Sequence, residues 1–240
     1  MLAEKKIIVI LPAHNEEAGI PRLVSGITFK AVDTVLVVDD ASSDRTAGQA
    51  RSAGAEVISH ATRRGCGPSI RTGIDHALKN RYDIIVVMAG NGKDNPAQIE
   101  SLVTALIKGN LHLVQGSRYM KGGTWAHMPL HRIIGTRGYS LLFSLLTGRV
   151  ITDGTNGFRA FRASLFDDSR INIWQTWLNN YEVESYIYYK TVTLGYPFRE
   201  IPVSKIYPRD HGAGYTKMRP FADWWSHFRP ILLLRLGLKR

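Results

Sequence analysis

The sequence predicts an α/β protein built on a doubly wound, mostly parallel sheet, on three observations. Five short apolar runs recur along the first half of the chain, helical patterns separate them, and polar residues gather just after the runs. Apolar runs of this length suit strands covered on both faces, as parallel strands are. Strand–helix–strand alternation then requires right-handed crossovers.

Residues 7–11 form the first strand, and a helix is expected over 16–29. The second strand, 34–38, leads to a helix over 43–53, with Ser42, Ser43 and Asp44 as capping candidates. The third strand is 55–59, followed by a helix over 67–80. The fourth is 83–88, and the helix over 96–109 begins at Pro96, which suits a first helical turn. The fifth strand spans 111–115, after which Gly, Arg and aromatic residues crowd 116–161. A helix is expected over 132–146, and the aromatic segment 181–189 has the helical spacing of a core element. The last stretch, 221–240, combines Trp224, Trp225 and Phe228 with Arg229, Arg235, Lys239 and Arg240. That composition suits a helix lying in a membrane interface, and equally one packed on the core with a basic tail.

Composition narrows the function. With 240 residues, 44% hydrophobic and 21% charged, the chain can bury a large core and is neither disordered nor fibrous. The single Cys66 excludes an internal disulfide framework and a four-cysteine zinc module. No signal-peptide pattern opens the chain, and no apolar stretch reaches the roughly 18–20 residues of a bilayer span, so a cytoplasmic location is expected. Residues 1–112 carry 13 Lys/Arg against 12 Asp/Glu, whereas 113–240 carry 18 against 8. The second half therefore expects an anionic partner: nucleic acid, an anionic membrane or a phosphorylated substrate. No interleaved aromatic–basic module is present, which argues against nucleic acid. The chain also lacks a dinucleotide glycine pattern, a P-loop lysine motif, a Gly-x-Ser-x-Gly elbow and a His-Glu-x-x-His pair.

Ligands of open parallel sheets bind beyond the carboxyl ends of the strands. At and beyond those ends, in order, lie Pro12-Ala-His-Asn-Glu16, Val38-Asp-Asp-Ala-Ser-Ser-Asp-Arg-Thr46, Arg64-Gly-Cys-Gly-Pro-Ser-Ile-Arg-Thr-Gly73, Gly116-Ser-Arg-Tyr-Met-Lys-Gly-Gly123 and Thr152-Asp-Gly-Thr-Asn-Gly-Phe-Arg159. Glu200-Ile-Pro-Val203 follows, then Arg209 with Gly214-Tyr-Thr-Lys217. Together these resemble the motifs of the inverting, GT-A-fold family 2 glycosyltransferases, in the dolichyl- or polyprenyl-phosphate sugar synthase branch. The resemblance covers residues 6–217. It implies a GT-A domain over 1–217, with a nucleotide-sugar half to about 115 and an acceptor half from about 116. Residues 218–240 then form a separate basic tail.

The resemblance also implies roles. Pro12, Ala13, Glu16, Asp39, Asp40, Arg64, Ala89, Gly90 and Asn91 fall at donor-binding positions, with Asp40 reaching toward the ribose. His14 stands where the family has an aromatic residue. Arg118, Arg132 and Arg209 fall to the acceptor phosphate or the donor diphosphate, with Thr136 beside Arg132, and Arg159 on the acceptor side. Arginine forks suit phosphate oxygens. Asp153 is the first candidate for a base or sugar-hydroxyl anchor and Glu184 the second, although a structural role is favoured for Glu182 and Glu184.

The chain departs from the family at the metal motif. Its fourth strand is expected to end in Asp-x-Asp, which holds Mg²⁺ or Mn²⁺ on the donor diphosphate. Here the positions read Ala89-Gly90-Asn91, and Lys93 stands where a glutamine is expected. Three readings follow. Lys93 replaces the cation as catalytic charge and no cofactor is needed; or the protein binds sugar nucleotides without catalysis; or Asn91 with Asp94 or Asp153 holds a weak Mg²⁺ or Mn²⁺. The first is preferred. The expected activity is transfer of a sugar from a UDP- or GDP-type donor to a polyprenyl-phosphate-like acceptor, peripherally at the inner face of an anionic membrane. A soluble acceptor, or a binding-only protein, is the alternative.

Overall fold

The computed structural model describes residues 5–207 and 222–240, without the side chains of 222 and 223. In chain order the first half contains β1 (Ile7–Ala13), α1 (Ile20–Ser25), β2 (Thr34–Asp39), α2 (Thr46–Ser52), β3 (Glu56–Ser59), α3 (Cys66–Lys79) and β4 (Ile84–Val87). A 3₁₀ turn, Pro96–Gln98, leads into α4 (Ile99–Lys108) and β5 (Leu113–Ser117). The second half adds β6 (Thr124–Ala126), α5 (Leu130–Thr147), β7 (Arg159–Arg162), α6 (Glu182–Thr193), β8 (Phe198–Pro202), β9 (Ser204–Ile206) and α7 (Ala222–Arg235).

Seven strands form one sheet in the order β3-β2-β1-β4-β7-β5-β8, in which only β7 runs antiparallel to its neighbours. Strands β6 and β9 pair separately, in parallel. Ile8 and Ile10 of β1 point into one core with Ile70 and Ile74 of α3, while Ile7, Val9 and Leu11 point into the other with α1 and α4. This two-faced burial explains why the strand sequence is apolar throughout instead of alternating.

The structure redraws one expectation and resolves two points that the sequence leaves open. The helix expected over 16–29 contracts to α1, because residues 15–17 bond sideways to the loop after β2. Glu16 N–H donates to Thr46 Oγ1 at 2.8 Å, and Asn15 sits at φ 53°. Strand β7 enters between β4 and β5, where a simple alternating sheet would place them side by side. Helix α7 packs on α5 and α6, the second of the two readings open for residues 221–240. Its Ile231 is fully buried, Phe228 meets Tyr139 edge-on at 5.2 Å, and Arg229 donates to Glu182 Oε1 at 2.8 Å. Trp224 lies against Gly135, so of the three aromatic residues expected at a membrane only Trp225 is exposed. No helix among the described residues is long and apolar enough to cross a membrane.

Candidate functional site

A cavity of about 740 Å³ opens beyond the carboxyl ends of β1, β2 and β4. A groove of about 950 Å³ lies between the C-terminal ends of α5, α6 and α7, but it shares no lining residue with the first and has no carboxylate side chain in its wall. Convergence of both charge signs at the strand ends marks the smaller cavity as the site.

Its wall on the β1 side holds Pro12, Ala13, His14 and Glu16. Gly90 lies behind them, so close that a Cβ there would stand 2.8 Å from the Pro12 carbonyl oxygen. Asp39 also stays out of the wall and accepts the Ser42 N–H at 3.3 Å. Asp40 lines the cavity, yet its carboxylate is spent on the protein. It accepts the N–H groups of Arg64 and Gly65 at 2.8 and 2.7 Å and pairs with His60 at 2.8 Å. Burial pushes its pKa up, but these hydrogen bonds win and hold it below the usual carboxylate value. Asp40 therefore latches the glycine-rich loop that carries Arg63 and Arg64 to the rim, and the ribose contact expected of it would have to share oxygens with that latch. The loop turns at Gly65, whose φ of 99° is one that side chains rarely adopt.

Beyond β4, Ala89, Asn91 and Lys93 line the floor. Lys93 is only 6% exposed, and its Nζ lies 4.7 Å from the centroid of Tyr207. Burial, then Lys205 and Arg132, pull its pKa down to about 8, against the opposing charges of Glu16 and Asp94. The described side chains around position 91 do not make a donor set for a divalent cation. Position 89 has no polar side chain, and Asn91 Oδ1 accepts the Lys93 N–H at 3.2 Å. Both oxygens of Asp94 bind the Lys205 ammonium, at 2.7 and 2.8 Å. No three His, Cys, Asp or Glu side chains converge for a metal among the described residues.

Arg118 and Arg132 line the opposite wall. Arg118 is held by Asp153 through two 2.7 Å hydrogen bonds and by Thr155 Oγ1 at 2.7 Å, while its Nη1 donates to the Met128 sulfur at 3.8 Å. Asp153 is fully buried, outside the cavity wall, and its pKa is lowered because the charge and hydrogen bonds of Arg118 outweigh burial. The carboxylate expected as a base or sugar-hydroxyl anchor is thus committed to Arg118, and the Asp153 N–H donates to Glu200 Oε1 at 2.9 Å. Glu184, the second candidate, does reach the cavity. Burial raises its pKa, and it lies close over Gly157, where a Cβ would stand 2.5 Å from its Oε1.

Two acceptor-side expectations move inward. Arg159 donates to the carbonyl oxygens of Glu184 and Asn156, at 2.7 and 2.6 Å, and ties α6 to β7 away from the cavity. Thr136 Oγ1 donates back to the Arg132 carbonyl oxygen at 2.7 Å and supports the helix that carries Arg132. Arg209 lies outside the described residues. Lys205, Tyr207, Tyr181 and His227 line the cavity without having been singled out. For Lys205 and Tyr207 a signal existed, since Val203, Lys205 and Tyr207 alternate at strand period.

A model of the family described as "Glycosyl transferase family 2" matches residues 8–170. The chain is 28% identical to a UDP-N-acetylglucosamine–dolichyl-phosphate N-acetylglucosaminyltransferase of Methanococcus voltae, over 98% of both chains. It is 29% identical to an undecaprenyl-phosphate mannosyltransferase of Micrococcus luteus, over 89% of this chain and 87% of that one. Among solved structures it resembles glucosyl-3-phosphoglycerate synthase from Mycobacterium tuberculosis in complex with Mn²⁺, UDP and glucosyl-3-phosphoglycerate. The TM-score is 0.70 at 21% identity, over 99% of this chain and 82% of the other.

Proposed function

The chain belongs to glycosyl transferase family 2, and on that premise we propose that it transfers a sugar from a nucleoside-diphosphate donor to a polyprenyl phosphate at a membrane surface, inverting the anomeric carbon and using no divalent cation. The outer face of α5 carries the lipid half of this reading. Leu130, Ile134, Leu141 and Leu145 are between 63% and 72% exposed there, while Tyr139 and Phe143 of the same helix are fully buried. The helix also brings Arg132 into the cavity wall. An apolar stripe thus begins beside a cation-lined cavity, the arrangement that suits a molecule with a phosphate head and a hydrocarbon tail. Exposed Arg137 on α5 and Arg149 just beyond it add attraction for anionic headgroups.

The reaction follows from the charges. An acceptor phosphate is already ionised, so its oxygen attacks the anomeric carbon without a general base. As that carbon–oxygen bond forms, the bond to the donor diphosphate breaks, and negative charge grows on the leaving nucleoside diphosphate. Lys93 and Arg132 stand where preorganised cations would absorb it, and Arg118, immobilised by Asp153, would orient the acceptor phosphate. Pro12, Ala13 and the loop latched by Asp40 would hold the nucleotide, with Glu184 beside the sugar hydroxyls.

Two measurements test this reading. Given UDP- and GDP-sugars, the protein is expected to glycosylate polyprenyl phosphate in vesicles and to leave soluble phosphorylated acceptors untouched; the reverse preference would refute the lipid assignment. The double substitution Ile134→Glu with Leu141→Glu is expected to abolish co-sedimentation with anionic vesicles. Its melting temperature should stay near that of the wild type, because both positions are exposed. Undiminished sedimentation would show that α5 is not the docking face.

A further inference from the structure

Helix α7 carries a side chain into the cavity wall. His227 is 5% exposed and lines the cavity wall. Its ring stacks on Tyr181 with centroids 5.0 Å apart and meets Tyr139 edge-on at 6.0 Å, which fixes its plane. Its Nδ1 is buried without a hydrogen-bond partner among the described residues. No hydrogen bond there fixes the tautomer, so either ring nitrogen can carry the N–H.

The surroundings indicate which ligand. Arg118 from the end of β5, Arg132 from α5 and Lys93 from beyond β4 share the wall with His227, Arg159 of β7 adds its charge from behind, and α6 contributes Tyr181 and Glu184. Burial, then the charges of Arg132, Arg159 and Arg118, hold the imidazolium pKa down to about 3, so the ring is neutral near pH 7. A neutral imidazole carries one N–H and adds no further positive charge to a crowded cationic site. We propose that His227 donates this N–H to a phosphate oxygen bound in this cavity, of the acceptor phosphate beside Arg118 or of the donor diphosphate beside Arg132, which makes α7 part of the substrate site. This rests on the phosphate-transfer reading of the cavity, but its test needs no turnover.

Inorganic phosphate and UDP are titrated separately into the wild type, His227→Phe and His227→Gln by calorimetry, with melting temperatures as control. His227→Phe is expected to lose about ten-fold in affinity for at least one ligand, the effect of one hydrogen bond to a charged group. His227→Gln, which keeps an N–H donor, should stay within about three-fold of the wild type. Loss confined to inorganic phosphate assigns the contact to the acceptor phosphate, and loss confined to UDP assigns it to the donor diphosphate. In the wild type, the bound ligand should also shift the ¹⁵N signals of the His227 ring, a readout that survives any folding defect in the variants. Unshifted signals with both ligands, or wild-type affinities in a folded His227→Phe, would overturn the proposal. Failure to glycosylate any lipid phosphate would instead refute the proposed function and leave this inference standing.

Discussion

Lys93→Ala is expected to lower turnover by about two to three orders of magnitude, the range for removing one preorganised charge from a developing anion. The fold should tolerate the change. A lysine whose pKa falls on folding is held less comfortably in its charged form than in water, so its removal relieves the folded state below that pKa. The same displacement sets a pH signature. With a pKa of about 8 in the free protein, Lys93 loses its charge as pH rises through that value, and kcat/KM should fall on the alkaline side. Bound diphosphate favours the ammonium, so kcat should fall only at higher pH. Lys93→Arg keeps its charge throughout and should lose this alkaline limb while retaining part of the rate. An unchanged limb in Lys93→Arg would remove Lys93 from the mechanism.

Asp153→Ala is expected to cost about 3–5 kcal/mol of stability, because it leaves the Arg118 guanidinium buried without its counter-ion. Urea denaturation measures this directly. A catalytic base at the cavity surface would behave oppositely, losing activity with little change in stability. The pH dependence has a definite sign. The Asp153 pKa is lowered in the folded protein, so its contribution is present above the unfolded value, near 4, and is lost as pH falls from there through the folded pKa. Arg118→Ala should also reduce turnover, but Asp153→Ala should reduce it chiefly by releasing Arg118.

What the sequence discloses about this molecule divides along physical lines. Strands β1, β2 and β4 are legible because both their faces are buried, which makes them unbroken apolar runs. Helix α3 is legible within a residue at each end, since its apolar spacing follows directly on the glycine-rich loop. Strand β7 is not, because it has only four residues, its ends are arginines, and its partners lie more than 40 positions away. In the site, residues just after strand ends are legible from topology alone, which recovers Pro12, Asp40, Asn91, Lys93 and Arg118. Which of Asp153 and Glu184 lines the cavity is not, because a carboxylate's placement depends on which cation it meets. Asp153 meets Arg118 at 2.7 Å, whereas Glu184 and Arg159 are 3.9 Å apart. His227 is hidden for a similar reason: an aromatic, basic helix has the same composition whether it packs on a core or on lipid.

The central claim, transfer to a lipid phosphate with Lys93 in the role of a divalent cation, is tested most directly by one assay. Labelled sugar from UDP- or GDP-linked donors is offered to the wild type and to Lys93→Ala with polyprenyl phosphate in vesicles, in EDTA and then with added Mg²⁺ or Mn²⁺. The expected result is lipid-linked product from the wild type at the same rate in both conditions, and almost none from Lys93→Ala. Wild-type activity that disappears in EDTA and returns with either cation would contradict it.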